Sequence, residues 1–222
     1  MKRMLVLSGT LVASMAVSSS FFDNFDRANA PDLGANWTNM TGTIGINGNM
    51  AQAPITDTNV ALVNGYSDLA VNTAISFDVF HESGTVSYAA AVLGYTSQAS
   101  SIFVKVQDNE SNGTFNRAFF YVGDNGAGGG FGYDDLNPFT SARVYVWFTG
   151  TVASLGIDTN FDLVLDQTYS RDYGTAAWGT GAGLGAYGDA LIDNYAINAV
   201  PEPATLAVLG LGVAALLRRR RV

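Results

Sequence analysis

Between residues 21 and 200 apolar and polar side chains alternate with a period of two, and no amphipathic helix of useful length interrupts the pattern. Val71, Ile75, Phe77 and Val79 alternate with Ala74, Ser76 and Asp78. Ile102, Val104 and Val106 alternate with Phe103, Lys105 and Gln107. Val144, Val146 and Phe148 alternate with Arg143, Tyr145 and Trp147, and Phe161, Leu163 and Leu165 alternate with Asp162, Val164 and Asp166. In an extended chain each such set lines one face, so each run predicts a strand with one side toward a core. Turn formers separate the runs: Asn64-Gly65, Ser83-Gly84, Asn112-Gly113 and Asp158-Thr159-Asn160. Many short strands without helices predict an all-β sandwich of jelly-roll type. No segment recurs at a fixed period, which disfavours a solenoid or propeller. Phe22-Asp23-Asn24-Phe25 and Ile192-Asp193-Asn194-Tyr195 echo each other, and their pairing would close the domain.

The two ends are not domain material. Lys2 and Arg3 precede an apolar run over residues 5–17 that ends in Ala16-Val17-Ser18-Ser19-Ser20. A basic start, a short apolar stretch and a small-residue exit are the three parts of a secretory signal peptide, here residues 1–20. At the other end Val200-Pro201-Glu202-Pro203 leads into an apolar run, residues 204–217, and then Arg218-Arg219-Arg220-Arg221-Val222. The run reaches roughly 21 Å as a helix, short of the ~30 Å hydrocarbon core. Four consecutive arginines cannot be buried at the end of a core helix. At a membrane they remain on the cytoplasmic side while their stems snorkel. Gly210, Gly212, Ala214 and Ala215 suit close approach to another membrane helix. The two prolines fix φ on either side of Glu202 and keep that site extended, the conformation in which processing enzymes bind peptides.

The order of Pro201, Glu202 and Pro203, apolar helix and arginine cluster resembles the PEP-CTERM sorting signal of Gram-negative bacteria. The resemblance implies recognition by an exosortase, a membrane-embedded transpeptidase-like enzyme, and a link to exopolysaccharide or biofilm. It also implies transient anchoring in the inner membrane, followed by release to the cell surface or the extracellular space. The exported domain, residues 21–199, carries a looser resemblance. Asp23-Asn24-Phe25-Asp26-Arg27-Ala28 and Leu33-Gly34-Ala35-Asn36-Trp37 look like the opening of concanavalin A-like lectin/glucanase domains. Gly183-Leu184-Gly185-Ala186-Tyr187 and Asp193-Asn194-Tyr195 look like their closing strands. The division is thus signal peptide (1–20), β-sandwich (21–199) and sorting tail with a membrane helix (200–222).

Charge narrows the partners. Between residues 21 and 200 the five basic side chains Arg27, Lys105, Arg117, Arg143 and Arg171 face eighteen acids, a formal charge of −13. Such a domain repels phosphate backbones, so nucleic acid is excluded as a partner. There is no cysteine, so disulfides and thiolate chemistry are excluded too.

Catalytic patterns are incomplete. Glucanases of the resembled fold share a Glu-x-Asp-x-Glu strand whose alternate carboxylates supply paired acid chemistry. Here Asp108-Asn109-Glu110 gives half of it, with Val106 at the first position, and runs into Ser111-Asn112-Gly113 as a hairpin turn. Phe80 separates Asp78 from Glu82, and Val164 separates Asp162 from Asp166. His81 is the single histidine, expected in a loop after a strand, and no Gly-x-Ser-x-Gly elbow accompanies it. Calcium has two candidate places: Asp158, Asn160 and Asp162, with oxygen ligands at alternate positions, and Asp23, Asp26 and Asp193, brought together if the end strands pair. The glycine-rich stretch from Gly123 to Tyr133 lacks the Lys and Ser/Thr of a phosphate loop. It is expected as a flexible surface loop carrying Phe131 and Tyr133 to a ligand. These features favour a non-enzymatic protein that binds extracellular polysaccharide or builds matrix. A glycan-active hydrolase or lyase is the rival.

The tail generates the first prediction. Deleting residues 201–222 releases the protein from the membrane fraction into the periplasm or medium, as fractionation followed by blotting will show. Retention of the truncated protein on membranes washed at high salt would overturn the anchor.

Overall fold

The computed structural model describes residues 21–198 except 56–57, 67–72, 82–83 and 175. The expected signal peptide, Glu82, Pro201, Glu202, Pro203, the expected membrane helix and Arg218 to Arg221 lie outside the described residues. Within them the chain is an all-β antiparallel sandwich of two sheets.

The first sheet runs β13 (Gln167–Asp172), β12 (Val152–Asp158), β11 (Ser141–Phe148), β6 (Thr73–His81), β15 (Ala190–Ile197), β4 (Met50–Gln52) and β3 (Gly45–Asn47), with β1 (Phe21–Asp23) also paired to β15. The second runs β10 (Gly129–Phe139), β9 (Phe115–Val122), β8 (Ser100–Asp108), β7 (Ser87–Ser97), β14 (Gly181–Tyr187), β5 (Asn59–Val63) and β2 (Trp37–Thr41). The main core lies between them. Ile75, Phe77, Val79, Val144, Val146 and Ile192 of one sheet meet Ala89, Ala91, Ile102, Val104, Phe120 and Leu184 of the other. In β11 burial alternates without a break, the pattern of a strand with one wet face.

The expected closure is present. Phe21 pairs with Ile197, Phe22 with Ala196 and Asp23 with Tyr195. Asp23 then becomes the hub of the join. Its carboxylate accepts from Arg27 Nη1 at 2.7 Å, Arg27 Nη2 at 3.0 Å, Trp37 Nε1 at 2.8 Å and the Phe25 amide at 2.9 Å. Arg27 Nη2 also reaches the Leu33 carbonyl at 2.7 Å, so one carboxylate fixes β1, the chain after it and the start of β2. Burial pushes the Asp23 carboxyl up, but the hydrogen bonds from Arg27, Trp37 and Phe25 outweigh it and hold it below its usual range.

Three expectations are corrected. Phe161, Leu163 and Leu165 do not form a strand, because β12 ends at Asp158 and β13 begins at Gln167. Phe161 and Leu163 take positive φ (60° and 69°), which no strand tolerates, and both are exposed. Asp158 imposes this turn by accepting from the Leu163 amide at 2.9 Å and the Asp162 amide at 3.3 Å. The glycine-rich stretch is not a loose loop: it makes one 3₁₀ turn (Asp124–Gly126) and then pairs with β9 as the edge strand β10. His81 is not in a loop but closes β6, its side chain fully buried and 2.9 Å from Asp108. Asp108 in turn accepts from the amides of Glu110, Asn112 and Gly113, which fixes the β8–β9 turn.

Replacing Asp23 with Ala strands the Trp37 N–H and one end of Arg27. Since Arg27 is partly exposed, the loss is set at about 2–3 kcal/mol. Because the folded carboxyl lies below its unfolded value of 3.8, this contribution is present above about pH 4 and disappears as pH falls through the lower folded value. Urea melts of wild type and Asp23→Ala at pH 7 and pH 2.5 measure both: a clear difference at pH 7 that shrinks in acid.

Candidate functional site

A sandwich strand has a core face and an outer face, and the outer face is ordinarily wet. In the second sheet it is not. Nine consecutive positions of β7 and eight of β8 are buried, so both faces of these strands are covered. Val60, Tyr88, Ala90, Val92, Tyr95 and Phe103 form a second apolar cluster outside the core, with Leu62, Tyr121 and Tyr187 packed on it.

The register builds this face in rows. One row crosses the sheet as Tyr133, Phe119, Lys105, Ala90, Gly185 and Val60, and the next as Arg117, Gln107, Tyr88 and Tyr187. Gly185 has no side chain where a Cβ would stand 2.8 Å from the Phe103 ring, so Phe103 lies flat across the sheet centre. The 3₁₀ turn walls one end of the face. Gly123 enters it at φ 72°, and a Cβ there would meet the Gly128 amide at 2.6 Å and the Gln98 carbonyl at 2.7 Å, so only glycine fits. Asp124 then accepts from Thr41 of β2 at 3.1 Å and Ser101 of β8 at 3.4 Å. Burial pushes its carboxyl up to about 6.

The result is a cavity of about 610 Å³ lined by aromatic rings and amides, among them Tyr88, Phe119, Tyr121, Gln107, Asn109 and Asn125. Among the described residues no carboxylate lines it. Tyr88 stacks on Tyr187 with centroids 5.7 Å apart and rings 12° from parallel, giving one wall. Burial pushes the Tyr88 hydroxyl well above its usual range; Thr58 is near enough to oppose that shift but lacks hydrogen-bond geometry, leaving the buried hydroxyl unpaired.

Lys105 stands at the centre. Its Nζ lies 4.4 Å from the Tyr88 ring centroid, 4.7 Å from Phe119 and 5.4 Å from Tyr121, and donates to Asn125 Oδ1 at 2.6 Å. The residue is 5% exposed. Cation–π contact offsets part of the lost hydration, yet burial still pushes the ammonium down to about 7. Chemically this is a flat apolar surface with amide donors and acceptors at its rim and one cation at its floor. Sugar rings present the complementary chemistry: apolar C–H faces and hydroxyl edges.

The sequence-predicted residues distribute unevenly around this site. Tyr133 stands on the edge strand beside the cavity without lining it, its ring 5.7 Å from Phe119 and Arg117 stacked over it at 4.6 Å. Phe131 is placed in β10 by its backbone, at an irregularity in the pairing. The calcium candidates lie elsewhere. Asp193 faces Asp78 across β15 and β6, and burial together with the charges of Asp78, Asp26 and Asp23 raises its carboxyl. These carboxylates are therefore neighbours, but Asp23 is taken up by Arg27 and Trp37, and Asp78 by Arg143 and Asn194. Asn160 and Asp162 are exposed and bonded to each other, while buried Asp158 accepts backbone amides. Among the described residues no three His, Asp or Glu side chains converge as a metal would require. Lys105, Tyr88, Phe119, Tyr121, Asn125 and Tyr187 were not foreseen. A signal was available: Phe119 and Tyr121 sit two apart beside the core residues Ala118 and Phe120, and Lys105 is the one lysine beyond residue 20.

Comparison with solved structures matches this architecture to sugar-binding proteins. The sandwich is similar to lectin II from Ulex europaeus, with a TM-score of 0.55 at 12% identity over 81% of this chain and 97% of the other. It is likewise similar to basic winged bean lectin, solved with Tn-antigen, with a TM-score of 0.52 at 12% identity over 81% and 97% of the two chains. A third likeness is the carbohydrate-binding module CBM66 from Bacillus subtilis, with a TM-score of 0.50 at 13% identity over 72% and 93%. At these identities the likeness is one of fold. The domain is thus a two-sheet β-sandwich whose fold resembles that of lectins and carbohydrate-binding modules. Its tail is a PEP-CTERM protein-sorting motif, matched over residues 199–221. No curated protein matches the chain in sequence.

Lys105 generates a stability prediction. Its folded value of about 7 lies below the unfolded 10.5, so between these the unfolded chain binds more protons and stability rises with pH. Below pH 7 the full cost of a buried charge remains. Lys105→Met therefore raises the melting temperature at pH 6 by about 5 °C or more, and the gap to wild type narrows toward pH 9.5. A variant less stable than wild type at pH 6 would contradict this.

Proposed function

We propose that this is an exported surface or extracellular-matrix protein, sorted by an exosortase-type enzyme through Pro201, Glu202 and Pro203, whose sandwich binds carbohydrate. The outer face of the second sheet, between Tyr88, Phe119, Tyr121 and Tyr187, is the binding site. The observation that supports it is the covered outer face: a sandwich needs no second apolar cluster to fold, and this one borders a cavity through Tyr88, Tyr121 and Tyr187. Among the described residues the cavity has no carboxylate pair for acid–base hydrolysis, which favours binding over glycosidic cleavage. Extracellular polysaccharide, as in exopolysaccharide or biofilm matrix, is the proposed ligand, and the arginine cluster Arg218 to Arg221 holds the precursor in the inner membrane until processing.

The test is a glycan array probed with the full chain in detergent. Binding to at least one polysaccharide is expected, and Tyr121→Ala lowers that affinity about tenfold by removing one wall ring. Equal binding by wild type and Tyr121→Ala would place the site elsewhere, and binding to no glycan would overturn the reading.

A further inference from the structure

The four arginines of the sandwich are all ion-paired. Arg27 meets Asp23 at 2.7 Å, Arg117 meets Asp135 at 3.3 Å, Arg143 meets Asp78 at 2.6 Å and Arg171 meets Asp134 at 2.8 Å. Lys105 is the fifth cation, more buried than any of them, and it has no carboxylate partner among the described residues. In a domain with eighteen acids this is the wrong cation to leave alone. A buried ammonium without a counterion costs more than an exposed one, and a single Asp for Gln107 or Asn125 would supply the missing charge. Instead the neighbours are amides and rings, which hold the ammonium in place without neutralising it.

We infer that the cavity takes an anionic sugar residue, whose carboxylate supplies the counterion that Lys105 lacks. The inference rests on the carbohydrate reading and names the class of ligand. The pyranose of a uronic acid lies against the Tyr88 and Phe119 rings, its carboxylate meets Lys105 Nζ, and Gln107, Asn109 and Asn125 bond the hydroxyls. A neutral sugar would leave the ammonium uncompensated and gain only the stacking. No bond is made or broken.

Protonation of Lys105 then governs affinity. The groups facing it are Tyr88 from β7, Phe119 and Tyr121 from β9, Asn125 from the 3₁₀ turn and Tyr187 from β14, while Asp124 of that turn is bonded to Thr41 and Ser101. Burial raises the tyrosines Tyr88 and Tyr121, and it pushes Asp124 only to about 6, so above pH 7 Asp124 is already charged while the two tyrosines stay neutral. With Lys105 at about 7, the acceptor of the carboxylate is lost as pH rises from 7 to 9.

The experiment measures binding of the full chain in detergent to fragments of galacturonan, glucuronan and mannuronan, and to the same fragments after carboxyl reduction. Expected are binding to at least one oligouronide, a loss of about tenfold or more on carboxyl reduction, and a further fall of about tenfold between pH 7 and pH 9. Lys105→Met erases the preference for the acidic form. Lys105→Arg, charged throughout, keeps the preference and removes the pH dependence, which separates a lost charge from a lost fold. Equal affinity for acidic and reduced fragments, or binding of neutral glycans alone, overturns the inference and leaves carbohydrate binding standing. Binding of no fragment while other glycans bind overturns it as well; binding of no glycan at all removes both.

Discussion

Everything distinctive in this molecule follows from the covering of a second face on the sheet that holds β7 and β8. A two-layer sandwich needs only one dry face per sheet, and the first sheet obeys that rule along β11. In the second sheet the small residues Ala90, Gly183 and Gly185 lower the floor, and Phe103, Tyr88 and the 3₁₀ turn rise around it. Once that face is dry, any polar group on it must be satisfied locally. Gln107 bonds Asn109, Asp124 bonds Thr41 and Ser101, and Lys105 bonds Asn125. The site is the set of polar groups that this dry face has to hold.

The first sheet handles charge in the opposite way. Asp23 and Asp78 are both buried, and both are met by an arginine through two nitrogens, with Trp37 or Asn194 supplying a further donor. Such geometry recovers most of the desolvation cost of each carboxylate. With no cysteine available, it also does part of the work a disulfide would do in joining the chain's early and late segments. Asp23 links β1, paired with the last strand, to the beginning of β2 in the other sheet. Closure and sheet-to-sheet registry thus depend on one side chain.

How much was legible follows from the same division. Alternating core faces announced themselves: Ile75, Phe77 and Val79, and Val144, Val146 and Phe148, are buried as expected, although Ser76 and Asp78 of β6 are buried as well. The pairing of the two Asp-Asn segments was also readable, because their echo is local. Residues 161–165 misled because alternation registers side-chain chemistry and not φ, and Asp158 bends that segment through two left-handed residues. Glycines 123 to 132 read as looseness, although their lack of Cβ is what lets the turn pack tightly on the sheet. The site was least legible. In β8 the core face (Ile102, Val104, Val106) and the site face (Phe103, Lys105, Gln107) are both buried, and no sequence pattern says which buried face belongs to a core. Only the pairing of Lys105 with Ala90 and Phe119 across three strands reveals it.

An anionic sugar as the inferred ligand of a domain of charge −13 looks contradictory, and range resolves it. The Debye length at physiological salt is about 8 Å. Among the described residues no acid lines the cavity, so the acids would act on approach rather than in the complex. Repulsion slows encounter and discourages unspecific attachment to polyanions. Inside the cavity the dielectric is low and the one nearby cation would dominate, because among the described residues no carboxylate lines the walls. Specificity then comes from the difference between the two ranges: a polyanion is turned away unless one of its residues can also stack on Tyr88 and Phe119 and bring its carboxylate to Lys105. An added surface lysine would strengthen binding without improving the choice. A single buried cation with no carboxylate partner among the described residues would discriminate better than a basic patch.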